Sequence, residues 1–311
     1  MNRSFFTCAL TVFYTFFIYS SIAQQPQDDV LLSAMRDELD RNFKGLSQPG
    51  YDAPFFIMYG IQDQKTWSIS AVLGSISQST ETRQRFRTNT RVLVGDYSFN
   101  DESLEDNLFS SPTALEINLP IDDDYAGIRR SFWSATDKVY RDAARHFKRH
   151  QETLKETGRK LDETPHRSFA QAPAVKMVSD LPPYSFNKAE WENRLRDLSA
   201  VFLSDPSIQN SGIVLEYTEG YRYLVNSEGT VAKLPFRMAT LMIGAQTKNK
   251  EGEFAMVNAL ELAEKPDEFP STQELTKTVN KLMAGLEEES SVAELEEEYS
   301  GPVLLMGPAV G

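Results

Sequence analysis

Gly212-Ile-Val-Leu-Glu-Tyr-Thr-Glu219, then Gly220, then Tyr221-Arg-Tyr-Leu-Val225 sets the fold class, because here the apolar spacing changes from helical to every second residue. Two short strands flanking a Glu219-Gly220 turn are expected, with a second turn at Asn226-Ser-Glu-Gly229 and long strands through Thr230 to Thr247 and Glu253 to Leu262. The whole reads as a β-meander with tight turns.

Helices are expected on both sides of it. Asn187 and Glu190 form a capping box that opens a helix over Lys188 to Leu203. Ser271 with Glu274 opens another, with Leu275, Val279, Leu282 and Leu286 on one face, running into the acidic stretch Glu287 to Glu298, a solvated helix end or linker. Upstream, carboxylates at Asp122 to Asp124 favour the positive end of a long helix that runs toward Gly158, with Ile128, Phe132, Val139, Ala143 and Phe147 as its buried stripe. Its charged second half is expected in solvent. Asp28 and Asp29 cap a first helix whose apolar stripe is Leu31, Met35, Leu39 and Phe43.

Three β stretches follow that helix: Pro54 to Gln62, Thr66 to Ser77 and Thr80 to Tyr97. The second alternates through Trp67, Ile69, Ala71 and Leu73. The third places Arg83, Arg85, Arg87 and Arg91 on one face, with Phe86, Thr88, Val92 and Val94 on the other. Together these patterns predict an α+β chain, a largely antiparallel or mixed sheet with long helices packed on it as a two-layer α/β sandwich. A proline-containing linker, 161–173, and a short apolar stretch, Val175 to Val178, mark a sub-boundary near 161–174 within one domain over 24–297. A further strand, Pro302 to Met306, is expected to begin a second domain over 298–311 that breaks off at Gly311.

Met1 to Ala23 has the layout of a secretory signal peptide: Arg3, the apolar run Phe5 to Ile18, and Ser20-Ser-Ile-Ala23, with cleavage expected after Ala23. Export to a bacterial periplasm or cell envelope follows, with no stable membrane anchor after cleavage. The one cysteine, Cys8, lies inside this segment, so the processed chain has no disulfide, thiolate zinc site or cysteine nucleophile. Its formal charge is −13, and −14 once Arg3 is removed, which argues against a nucleic-acid partner.

No complete catalytic site is legible. His146 and His150 share a helix face at the spacing zinc helices use, but Arg145, Lys148 and Arg149 surround them, no glutamate follows the first histidine, and only His166 could add a third ligand. A solvated basic face is the better reading, and no bound zinc is expected. Asp122 to Asp124 lacks the alternating ligands, glycine and distal glutamate of a calcium loop. No Gly-x-Ser-x-Gly elbow and no phosphate-cradling loop occurs. The arginine row Arg83, Arg85, Arg87 and Arg91 could grip a carboxylate or an acidic peptide, or pair across strands with the chain's own acids.

Several segments, in order, resemble the TldD/PmbA family, once called modulators of DNA gyrase. They are Arg91-Val-Leu-Val-Gly-Asp-Tyr97, Leu119-Pro-Ile-Asp-Asp-Asp-Tyr125, Ile128-Arg-Arg130 with Trp133-Ser-Ala-Thr-Asp137, Tyr223-Leu-Val-Asn-Ser-Glu-Gly-Thr230 and Glu298-Tyr-Ser-Gly-Pro-Val303. The resemblance implies an N-terminal α/β region preceding a region that completes a zinc peptidase assembly acting on flexible or unfolded peptides. Catalytic members carry a His-Glu-x-x-x-His helix and a later cysteine as zinc ligands. This sequence has neither, so no catalytic, cofactor or metal residue carries over, and zinc is expected only in a complete catalytic member. The chain is more similar to the non-catalytic PmbA-type partner, which implies a homo-oligomer or a hetero-oligomer with a TldD-type subunit. The competing expectation is a stand-alone envelope binding or scaffold domain unrelated to proteolysis.

Overall fold

The computed structural model describes residues 29–103, 117–158, 169–250, 252–291 and 300–304. The signal segment with Ala23, His166, and the acidic stretch from 292 onward lie outside the described residues. Pro302 to Leu304 are exposed coil, and the rest of the strand expected there, 305–306, also lies outside them.

Among the described residues seven strands form one sheet in the order β3-β2-β1-β5-β6-β4, with β7 also pairing β6. All pairs are antiparallel except β4 with β6. The three β stretches expected early in the chain are two strands, β1 (Pro54–Val72) and β2 (Ser75–Val94). Their hairpin turns at Leu73 and Gly74, both with positive φ of 47° and 78°, the backbone a tight two-residue hairpin requires. Leu73 is therefore a turn residue and not the last of an alternating row.

The Glu219-Gly220 turn does not exist either. β5 (Asn210–Asn226) runs straight through Gly220, where an added Cβ would stand 2.1 Å from the Asp63 carbonyl oxygen of β1. Glycine is there because two backbones come close, not because the chain reverses. The turn expected at 226–229 is present, with Gly229 at φ 94°, and leads to β6 (Val231–Lys248) and β7 (Phe254–Ala263). The remaining strands are short, β3 (Ile117–Asn118) and β4 (Lys176–Val178).

Among the described residues, helices cover one face only. α1 (Val30–Gly45) and α2 (Tyr125–Thr157) pack on one end of the sheet, where Ile57, Tyr59, Ile61, Val92, Val94, Tyr223 and Val225 meet Met35, Leu39, Phe132 and Phe147. α3 (Lys188–Ala200), continued by a 3-10 turn, and α4 (Thr272–Ser291) pack on the other end over Trp67, Ile69, Leu215, Tyr217 and Leu241. The expected caps are present: Asp29 and Asp124 accept main-chain N–H groups at the helix starts, and Ser271 and Glu274 exchange bonds. The stripe of α1 departs from its expected spacing of four, which drifts about 40° per step on a 3.6-residue helix. Phe43 ends 38% exposed, and Asn42 and Glu38, 3% and 2% exposed, take the inner face. There Asn42 donates to the Tyr59 hydroxyl at 2.8 Å, which also bonds Thr136 at 2.7 Å, while Arg41 and Arg129 neutralise Glu38. Burial pushes the Tyr59 phenol up to about 12.

One acid makes folding depend on pH. The Asp101 carboxylate accepts the Val94 N–H at 2.7 Å, tying the following loop to the end of β2. Burial nonetheless outweighs that bond and raises its pKa from 3.8 to about 7. The folded state holds this proton more tightly than the unfolded chain, so the stabilisation is complete below about pH 4 and is lost as pH rises through 7. Melting temperature measured from pH 4 to pH 8 should carry this decline, and Asp101→Asn should flatten it. An identical profile in Asp101→Asn would contradict it.

Candidate functional site

Between the two helix pairs the coil 181–186 crosses the helix-covered face, its Leu181 N–H bonded to the Tyr221 hydroxyl at 3.0 Å, and beside it a cleft of about 410 Å³ opens. Asp63 of β1, Arg83 and Arg85 of β2, Tyr221 and Tyr223 of β5 and Lys233 of β6 meet Asp29 at the start of α1 and Asp123 before α2. Cross-strand register brings them together: Asp63 stands opposite Arg85 on one side and Tyr221 on the other, and Tyr223 opposite Lys233.

Arg85 is the centre. Its side chain is 1% exposed and donates to Asp63 at 2.7 Å, Asp123 at 2.8 Å and the carbonyl oxygens of Pro120 and Asp122 at 3.0 and 3.1 Å. Burial lowers its basicity, and the bonds to Asp63 and Asp123 more than restore it. Arg83 is 51% exposed and reaches the same Asp63 oxygen at 3.1 Å. Lys233 bonds Asp29 at 3.0 Å and lies 4.4 Å over the Tyr221 ring. Burial would lower the Lys233 pKa, but the Asp29 carboxylate outweighs it and keeps the ammonium above its ordinary value. Burial beside Asp29 raises the Tyr223 phenol. Asp29 has two tasks, since one oxygen caps α1 while the other takes Lys233.

Three cations and three carboxylates line the cleft, and a fourth carboxylate, the exposed Asp180, lies 3.8 Å from Lys233. The arrangement can bind charge by exchange: Asp123, whose side chain is 61% exposed, can leave Arg85 to an incoming carboxylate. It holds no nucleophile paired with a base.

The arginine row is not one face. A bulge between Gly60 and Ile61 leaves Thr88 without a partner, since Gly60 pairs Asn89 and Ile61 pairs Arg87. One extra residue reverses every later side chain. Arg85 and Arg87 therefore share the helix-covered face with Thr90, Val92 and Val94, whereas Arg91 lies on the opposite face, paired with Glu102 and 5.2 Å over Phe169. Arg87 is buried, donates to the Ser131 carbonyl oxygen at 2.9 Å, and is lowered in pKa by burial. Only Arg83 and Arg85 of the four line the cleft. Asp63, Tyr221, Tyr223 and Lys233 were not singled out from the sequence. Their signal was the register of β1, β5 and β6, hidden by the false breaks read at 63–65 and 219–220.

His146 and His150 lie on the second half of α2, where the His150 ring stands 6.3 Å from Phe99. Among the described residues no group of three or more His, Cys, Asp or Glu is placed to hold a metal ion.

No protein-family model matches the sequence, and no curated protein matches it significantly. Among solved structures the chain is similar to a candidate modulator of a DNA gyrase from Thermotoga maritima, with 10% identity and a TM-score of 0.44 over 80% of this chain and 47% of that one. It is similar to a second candidate gyrase modulator from Bacteroides thetaiotaomicron, with 8% identity and a TM-score of 0.47 over 81% and 49%. A third is TldE from Thermococcus kodakarensis, with 9% identity and a TM-score of 0.42 over 82% and 47%. The chain spans about half the length of each of these structures.

Proposed function

We propose that this chain is an exported, non-catalytic, peptide-binding portion of a TldD/PmbA-type peptidase assembly, pairing with a TldD-type subunit that supplies zinc and the chemistry. The ordered segments quoted from the sequence support the family, and one structural observation supports peptide capture. β7 pairs only with β6, and among the described residues no strand covers its outer edge. The Asn249 N–H bonds the Glu253 carbonyl oxygen at 2.8 Å and closes the β6–β7 hairpin. Bonding alternates from that pair, so Phe254, Met256, Asn258, Leu260 and Leu262 turn their main-chain groups outward. An extended flexible peptide can add there as a further strand. The opposite edge, β2, carries mostly polar and charged side chains over Ser75 to Arg85, the kind of edge that discourages such pairing.

Asn258→Pro removes one outward N–H without touching a bond to β6. It is expected to weaken binding of a fluorescent flexible peptide about tenfold, the effect of leaving one peptide carbonyl without its donor. Anisotropy titration measures this, and equal affinity in Asn258→Pro and the unaltered chain would defeat edge capture.

A further inference from the structure

The guanidinium of Arg85 is crowded at one nitrogen and unused at another. Asp63 and Asp123 both bond its Nη2, at 2.7 and 2.8 Å, and its Nη1 is taken by the carbonyl oxygens of Pro120 and Asp122. Its Nε is buried and has no acceptor. A carboxylate grips a guanidinium best through two parallel bonds, and neither aspartate makes them. The Nη2–Nε edge is thus filled below its capacity in a side chain that is almost wholly buried.

The two aspartates differ in how firmly they are held. Asp63 is shared with Arg83, whereas among the described residues Asp123 is exposed and makes its one ion pair with Arg85. The start of α2 does not depend on Asp123, because Asp124 supplies the cap.

Charge limits what can enter between Arg85 and Asp123. A simple anion would take Arg85 and leave Asp123 unpaired, in a cleft where four carboxylates already face three cations. A simple cation would draw Asp123 away from a buried guanidinium that already lacks an acceptor at Nε. A zwitterion avoids both costs: its carboxylate takes the Nη2–Nε edge while its ammonium takes the released Asp123. Every charge keeps a partner, and one buried N–H gains one.

We propose that the cleft binds an α-amino acid, inserted into the Arg85–Asp123 ion pair. Its carboxylate and ammonium are joined through a single carbon, the spacing needed to bridge two side chains already in contact. Val30, Leu31 and the rings of Tyr221 and Tyr223 complete the wall and suit an apolar side chain. The Tyr221 hydroxyl accepts the Leu181 N–H at 3.0 Å and so keeps its own O–H to donate to the ligand. The site is separate from peptide capture, which uses the main-chain edge of β7.

Isothermal titration calorimetry of the full chain should show one saturable site for leucine or phenylalanine. Asp123→Ala should weaken that binding about 10- to 100-fold, the loss of a charge-assisted bond to the ammonium. The same variant should bind the matching deaminated acid, 4-methylpentanoate or 3-phenylpropanoate, more tightly than the unaltered chain does, because the competing carboxylate is gone. Asp123→Asn, which keeps the shape and removes the charge, should move both affinities in the same directions. Absence of saturable binding of both amino acids overturns the proposal. Equal amino-acid affinity in Asp123→Ala and the unaltered chain also overturns it, by placing the ligand elsewhere, as does loss of the amino acid in both variants with no gain for the acid. A deaminated acid that binds the unaltered chain as tightly as its amino acid would make the cleft a plain carboxylate site and overturn it too. Asn258→Pro should leave amino-acid binding unchanged, so this reading and edge capture fail separately.

Discussion

Trp191→Ala is expected to lower stability by about 3–5 kcal/mol, the cost of deleting a large buried aromatic and leaving a cavity. Trp191 is among the largest fully buried side chains, projecting from α3 into the second core cluster, with Phe269 edge-on at 5.8 Å and the Arg194 guanidinium 4.2 Å over its ring. The informative quantity is how far the loss spreads. β1 supplies Ile57 to Ile61 to the first cluster and Trp67 to Ala71 to the second, and β5 likewise contributes to both. The two clusters are thus joined through strands they share, so the loss in one is expected to reach the other. The first cluster should therefore unfold at the same lowered denaturant midpoint. With Trp67, which lies in the second cluster, replaced by Phe in both backgrounds, Trp133 on α2 reports the first cluster by fluorescence. A Trp133 transition left at its original midpoint would show two independent units divided near the 161–174 linker.

Asp63→Ala is expected to cost about 3 kcal/mol by stranding the buried Arg85 guanidinium. Asp123 and the carbonyl oxygens of Pro120 and Asp122 remain, which keeps the loss toward the low end for a broken buried pair. Removing the exposed partner of the same carboxylate, Arg83→Ala, should cost at most about 1 kcal/mol, because solvent screens it. Replacing both buried partners, Asp63→Ala with Arg85→Met, should recover most of the loss, since the penalty comes from the orphaned charge and not from the missing attraction. Urea denaturation of the three variants separates these outcomes. Equal losses for Asp63→Ala and Arg83→Ala would mean that Arg85 is not the buried centre of the cleft.

Local signals are legible in the sequence wherever the chain's own neighbours settle them. Helix starts at Asn187, Asp124 and Ser271 depend on a side chain reaching an N–H two or three residues away. The stripes of α2 and α4 depend on a period internal to each helix. Those signals, with the alternation in 212–225, were enough for an α+β sandwich with an antiparallel to mixed sheet.

What sequence alone could not supply was the long-range pairing of strands. Gly220 looks like a turn until β1 is seen crowding it, and the bulge at Thr88 that turns Arg91 away from Arg85 exists only against the register of β1. The cleft joins Asp29 to Lys233 across some 200 positions of chain. Side-chain direction in a strand is a property of its partners: a single unpaired residue reverses everything after it, so composition and spacing determined which elements form, and only tertiary contact decided which residues share a site.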